Sequence, residues 1–421
     1  MTWQQRYRIS RFLRDSIWLA PVVVIVLVLL AHPLVGRLDG ILGVKAVIGA
    51  ETARALLAAL ASSMLTFIVF VFSIMLVTVQ LASAQLTPRI IATFFHSGIL
   101  RFSLTVFVFA FAFTLEALSQ IGDSVPQIAV WVSSYSSAGC IGVFLYLIHD
   151  VGKSLRPISV LTCVGNTGQA VIREVYPLTV VATQEAPPKF APVPEGGGSR
   201  TVQSGRTGVV LAFDVAGLVE LARRADCLIE FVPQVGAFVT SGDPLFRLHG
   251  GGAALADHLL DQSVAIGSER TVEQDPGFAF RIIVDIAAKA LSSAINDPTT
   301  AVLALDQVHR LLRAVGERQL DTGRMHDDVG RLRLLYRTPD WEDFVALAIT
   351  EIRLFSGNNI QVVRRLRAML ENLIDTVPPQ RAALLRTELE QLDRGVEHAF
   401  RDPGDRVRAG LADSLGVGGA T

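Results

Sequence analysis

Five polar side chains recur along one apolar stretch of this chain: Ser62, Thr66, Ser73, Gln80 and Thr87. On a helix advancing 100° per residue they fall within about 60° of one another. A line of hydroxyls and amides on a Val, Ile, Leu and Phe background suits the lining of a pore or substrate path. The same residue types let helices approach closely and hydrogen-bond one another in lipid. Both readings stand at this level. Glu116 joins the pore-lining candidates as the one acid well inside an apolar segment. An acid in hydrocarbon costs several kcal/mol and marks a functional position by default. Close to the outer end of its segment, it can equally reach water.

A second concentration of polar chemistry flanks two helix starts. Glu269, Arg270, Thr271, Gln274 and Asp275 precede Pro276, and Asn296 and Asp297 precede Pro298. If the two loops converge, they form a ligand site for a cation, or for an anion held at the second helix's N-terminus. The competing reading is local: these are the residue types of caps and turns. Asp297 before Pro298 is an N-cap followed by proline at the first helical position. Arg281, Asp285 and Lys289, spaced by four, read as surface pairs of one helix.

Other chemistry is missing from the sequence. There is no His-Glu-x-x-His, no Gly-x-Ser-x-Gly, and no Gly-x-Gly-x-x-Gly between a strand and a helix. Gly152-Lys153-Ser154 resembles the end of a phosphate loop, but Leu147 stands where the first glycine is required. His258 between Asp257 and Asp261 lacks a third ligand and reads as a solvated helix face. The run from Gly236 to Leu245 is faintly like a lipoyl or biotinyl carrier, yet residues 207–265 contain no lysine to carry the group. The three cysteines, Cys140, Cys163 and Cys227, are far apart and read as reduced. No catalytic residue, metal or cofactor is assigned, and an enzyme is unsupported.

The elements that must hold these residues follow from where charge lies. Residues 1–150 contain nine Lys or Arg and six acids, leaving 29 basic and 33 acidic side chains for the remainder. That remainder has a normal charged surface near neutrality, which argues against nucleic acid as a partner. A span needs about 20 mostly apolar residues. Four segments qualify: between Asp15 and Arg37, between Arg54 and Arg89, from Phe102 to about Ile121, and from Ser124 to His149. The first is too long and lacks a clear cleavage site, so it reads as a retained helix rather than a signal peptide. In the fourth, Ser133, Ser134, Ser136, Ser137, Gly139 and Gly142 read as a close-packing run. Arg6, Arg8, Arg11 and Arg14 precede the first span, Arg89 and Arg101 lie between the second and third, and Lys153 and Arg156 follow the fourth. This bias puts both termini in the cytoplasm of a bacterial cell, the protein sitting in the inner membrane.

The expected architecture is a membrane α-helical domain of four spans plus a C-terminal cytoplasmic α+β domain, mainly helical with a small β-rich unit. Residues 1–150 are the transmembrane domain and 151–183 a helical connector. Residues 184–206, rich in proline and glycine, read as a flexible linker. Residues 207–265 are the β-rich unit. Strands are expected at 209–214 and 227–232, a helix at 215–225, and a hairpin over 236–248. Residues 266–421 are helical. Their first helix starts near Pro276 with Phe280, Ile283, Ile286, Ala287, Ala290 and Ala294 on one face. Further helices follow Asp297, Pro339, Asn359 and Pro379, and a strand fits 330–336.

Three stretches, Phe72 to Arg89, Tyr146 to Leu155 and Glu269 to Ala301, resemble a bacterial family of predicted membrane proteins, domain of unknown function twenty-two fifty-four. The likeness covers nearly the whole chain and implies the same spans-plus-domain layout. It supplies no reaction, ligand or catalytic residue. Ser293-Ala294 departs from the Pro-Gly or Pro-Ala expected there, and 184–206 looks locally elaborated. The expected function is a homo-oligomeric ion channel or transporter with a cytoplasmic regulatory domain, its partners being the bilayer, copies of itself, and an ion or small molecule. The alternative is a membrane-anchored sensor or scaffold whose soluble domain binds a small ligand or a protein.

Overall fold

The computed structural model describes residues 2–42, 47–85, 98–122, 125–154, 156–180 and 199–417. The chain divides into two compact units. One is Ser10–Ser159; the other joins Met1–Ile9 to Val160–Thr421.

Helix α1, Trp3–Asp15, crosses that division. The first unit then contains α2, Leu19–Leu42; α3, Ala50–Gln85; α4, Gly98–Ser119; and α5, Gln127–Ser154. Three of these have stretches long and apolar enough to cross a membrane: Ala50–Gln80, Gly98–Ser119 and Gln127–Ser154. Helix α2, where the first of the four spans is expected, carries an apolar stretch over Leu19–Ala31 among the described residues, and the helix itself runs on to Leu42.

Small residues set how the three long helices meet. Ala53, Leu57, Ala61, Met64 and Val71 form the buried line of α3, and Phe107, Ala110 and Ala117 that of α4. Rings fill the interior, with Phe67 stacked 6.2 Å from Phe107 and edge-on to Phe144 at 5.0 Å. On α5 the expected packing run is only half used. Ser133, Ser137 and Cys140 are buried. Gly139 and Gly142 are exposed, with open space where a side chain would stand. Two side chains tie one end of the bundle. Gln127 accepts from the Ile48 N–H at 3.1 Å and donates to the Ile48 carbonyl at 2.9 Å. Arg54 donates to the Ile121 carbonyl at 2.9 Å, satisfying backbone just past the end of α4.

Most of the next helix, α6, Pro157–Val175, belongs to the second unit. Proline at its first position cannot continue α5, so the two helices are separate. The stretch read as a connector therefore holds a core helix, with Val160, Leu161, Val164, Val171, Ile172 and Tyr176 buried. At Gly168 a Cβ would stand 2.7 Å from the Ala279 Cβ, so this close approach needs glycine.

Among the described residues, eight strands follow. They are β1, Ser199–Gln203; β2, Gly208–Phe213; β3, Cys227–Phe231; β4, Phe238–Val239; β5, Pro244–Gly250; β6, Val264–Gly267; β7, Arg324–His326; and β8, Leu332–Tyr336. They make two sheets, β1-β5-β3-β8-β7 and β4-β2-β6, with β3 and β8 parallel. Helix α7, Val215–Arg224, is capped by Asp214 and lies against β3 and β8. Short α8 is Asp257–Asp261. The expected hairpin over 236–248 does not form, because β4 pairs with β2 while β5 lies between β1 and β3. β1 falls in the segment read as linker, where Val202 is buried. β8 brings residues of the helical segment into the β-rich unit's own sheet.

The helical layer is α9, Pro276–Ala290; α10, Pro298–Gly316; α11, Trp341–Ser356; α12, Ile360–Thr376; α13, Pro379–Ala399; and α14, Pro403–Ala409. Asp275, Asp297, Asp340, Asn359 and Asp402 cap five of their N-termini through the side chain. Phe280, Ile283, Ile286, Ala287 and Ala290 are buried, as their spacing implies. Ala294 is not part of that face. It lies beyond the helix end and is exposed, since the Ser292 hydroxyl takes the Lys289 carbonyl and Asn296 turns at φ +49°.

Candidate functional site

The buried line of α3 and its polar stripe can be compared directly. Ser62, Thr66, Ser73 and Gln80 are all exposed. At 100° per residue they centre about 165° round the helix from the Ala53–Val71 line. The stripe thus lies on the side of α3 opposite its buried line. Two of its hydroxyls bond back to their own helix, Thr66 to the Ser62 carbonyl at 3.0 Å and Ser73 to the Val69 carbonyl at 3.0 Å. Each oxygen keeps lone pairs directed outward. Thr66 also lines an open groove with Ser63, Phe67, Phe70 and Phe144. Exposed apolar residues border the stripe, Leu65 and Phe72 on one side and Phe70 and Val77 on the other. Thr87 lies outside the described residues.

Glu116 is half-buried near the end of α4 and accepts from the Gln120 side chain at 3.0 Å. It lies one turn before the Ile121 carbonyl that Arg54 holds. Its side chain is on α4, whereas the stripe is on α3.

The two polar loops of the second unit do not converge. Asp275 caps the start of α9, accepting from the Phe278 N–H at 3.1 Å. Asn296 and Asp297 lie beyond its other end, where the Asp297 N–H donates to the Ala290 carbonyl at 2.8 Å. Fifteen helical residues separate them, roughly 22 Å of rise. Asp297 accepts from the Thr300 N–H at 3.1 Å and the Thr300 hydroxyl at 2.6 Å, which is N-cap geometry. Asn296 and Glu269 are exposed.

The residues that do come together surround Asp275. Its carboxylate is buried and pairs with Arg270, whose guanidinium also sits 5.4 Å from the Phe278 ring centre. Gly236, at φ +86°, comes so close to both Arg270 and Asp275 that a Cβ would collide with them. Gln274 accepts from the Phe213 N–H at 3.2 Å and so ties the loop to β2. The Thr271 hydroxyl is buried with no hydrogen-bond partner among the described residues.

Three residues that sequence reasoning missed complete this cluster: Tyr176, Asp321 and Tyr336. Tyr336 hydrogen-bonds Asp321 through its hydroxyl. Burial first, then the Asp321 charge, pushes the Tyr336 phenol far up. Tyr176 is 1% exposed and its hydroxyl lacks a hydrogen bond of ordinary geometry. Burial pushes its pKa up to about 12; the Thr338 side chain draws it back in part, and Asp321 and Asp275 add to the rise. Burial likewise raises Asp275, against the pull of Arg270. The cluster is therefore one arginine, two carboxylates and two neutral phenols in a mostly dry setting. It can present hydrogen-bond donors and one shielded negative charge. Only Tyr176, standing before Pro177, had any local signal, as a helix end.

A family model described as a predicted membrane protein (DUF2254) matches residues 14–372. The chain belongs to this family. That membership covers the three long apolar helices of the first unit and most of the α+β unit. Two similar proteins, from Mycobacterium bovis and Mycobacterium tuberculosis, are each named an uncharacterized protein. Each is 26% identical over 368 residues, spanning 84% of this chain and 70% of the relative. No solved structure matches the chain. The DUF2254 assignment agrees with the resemblance carried by Phe72–Arg89, Tyr146–Leu155 and Glu269–Ala301, and it names no ligand.

Proposed function

We propose that this protein is a homo-oligomeric ion channel or transporter of a bacterial inner membrane, with its α+β unit in the cytoplasm as the regulatory part. One observation carries the reading: Ser62, Thr66, Ser73 and Gln80 are exposed on the side of α3 opposite its buried line. Polar groups on an outward face at bilayer depth are best placed against water or another subunit. The open faces at Gly139 and Gly142 add a surface on which a second copy's helix can approach closely. In this reading α2, a helix that runs to Leu42, is the first of four spans, and both termini are cytoplasmic. Purified protein in liposomes would conduct a common ion, and Ser73→Leu would cut the flux at least tenfold. Absence of flux for every common monovalent and divalent ion, from protein verified as folded, would defeat the proposal.

The sensor reading keeps one specific support, the buried Thr271 hydroxyl, which has no partner among the described residues and stands four residues before Asp275 in sequence. Buried polar atoms without partners are where a small ligand gains most. Thermal-shift screening of the full chain tests it. A ligand whose stabilisation vanishes in Thr271→Val but survives in Asp297→Asn would favour this cluster over the α10 cap.

A further inference from the structure

Helix α1 has two faces with different chemistry. On one, Trp3 stacks on Tyr7 at 5.4 Å between ring centres, the Tyr7 hydroxyl bonds Glu273, and Gln4 donates to the Val264 carbonyl at 3.0 Å. On the other, Ile9, Phe12 and Leu13 are 45%, 51% and 53% exposed. At 100° per residue these three cover about 100° of arc. The exposed arginines Arg8 and Arg6 flank that arc, one on each side. Residues 1–14 hold four arginines and no acid. The helix leads within four residues into apolar α2, and Phe12 meets the exposed Trp18 ring edge-on at 5.9 Å.

We infer that this face of α1 lies in the headgroup layer of an anionic membrane, with Ile9, Phe12 and Leu13 at the acyl boundary and Arg6 and Arg8 on lipid phosphates. An apolar arc with basic flanks is the composition of a helix that rests in the plane of a bilayer surface. Trp18 is the side chain that settles at this depth. Charge selects the occupant. A second copy pairing through the same face would bring Arg6 and Arg8 of both chains together, whereas anionic headgroups neutralise them. Each arginine near such a surface favours the bound helix about fivefold.

The test uses full-length protein in lipid nanodiscs, with a nitroxide on Ile9→Cys and Cys163→Ser to remove the exposed native thiol; Cys140 and Cys227 are buried. In phosphatidylcholine with one-third phosphatidylglycerol, the label should collide with oxygen and be screened from a water-soluble nickel chelate. The oxygen-to-nickel ratio should fall severalfold in phosphatidylcholine alone, at 1 M salt (a Debye length of about 3 Å), and in Arg6→Gln/Arg8→Gln. The lipid comparison needs no change in the helix charges, so a poorly folding double variant does not weaken it. Equal nickel access in both lipids overturns the inference. So does shelter from both oxygen and nickel, which would mean that protein covers the face.

Discussion

Arg281 and Glu351 meet fork to fork, with hydrogen bonds of 2.6 and 2.7 Å from the two guanidinium Nη atoms to the two carboxylate oxygens. The pair joins α9 to α11, and Arg281 also donates to Asp285 at 2.7 Å. Sequence spacing suggested a plain surface pair with Asp285. The partner across 70 residues was not legible, because it depends on two helices lying side by side.

The pair has a pH signature. Its hydrogen bond and charge hold the Glu351 carboxyl below the usual carboxylate range. A depressed carboxylate contributes stability that is present above its unfolded pKa, about 4.3, and lost as pH falls through the folded value. Glu351→Gln should therefore lower stability at pH 7 by about 1 kcal/mol, discounted for the partial exposure of Glu351. The gap to the parent should close as pH drops below about 4. Thermal midpoints measured from pH 7 to pH 3 in detergent check this. A gap independent of pH would mean that the carboxylate charge is not what holds the two helices.

Tyr176 gives a prediction of opposite sign. Its ring is packed edge-on to Phe344 at 6.3 Å between centres, but its hydroxyl is buried without an ordinary hydrogen bond. A buried polar atom left unpaired costs about 1–3 kcal/mol, and removing it with the ring retained recovers part of that. Tyr176→Phe should raise the unfolding free energy by about 1 kcal/mol, read as a higher denaturation midpoint with an unchanged slope. A destabilised variant would show that Thr338 or an ordered water satisfies the hydroxyl. Because burial puts this phenol near 12, the gain should not vary between pH 6 and 9.

What the sequence disclosed follows from how far each signal reaches. The caps at Asp275, Asp297 and Asn359 were legible because a cap bonds to backbone three residues away. The three long apolar helices were legible because composition alone sets membrane partition. Pairings across distance were not. The Gly242-Asp243 turn gave the look of a hairpin, yet its two strands serve different sheets. β8 pairs with β3 over a separation of 105 residues, Ile229 opposite Leu334, with no local mark of it. The cluster of Tyr176, Asp275, Asp321 and Tyr336 gathers four distant segments for the same reason. The polar stripe was visible but its direction was not, since periodicity fixes a face without saying what the face meets. Ala53 and Ala61, the small residues opposite the stripe, were the unused clue to the direction.

That direction leads to the last prediction. If the stripe borders water, cysteines at 66 and 73 should react with a membrane-impermeant thiol reagent. Cysteines at 65 and 72, exposed but turned roughly 80–100° away, should face lipid and stay unreactive. The expected contrast is at least tenfold in rate, because the thiolate that reacts forms only where water reaches. Measured in liposomes on a Cys163→Ser background, the pattern separates three surroundings. Reaction at 66 and 73 alone places the stripe on an aqueous path. No reaction at any of the four means that lipid or another helix covers the whole face, which removes the basis for a pore along α3. Equal reaction at all four means that α3 is not held at bilayer depth, which would contradict its reading as a span.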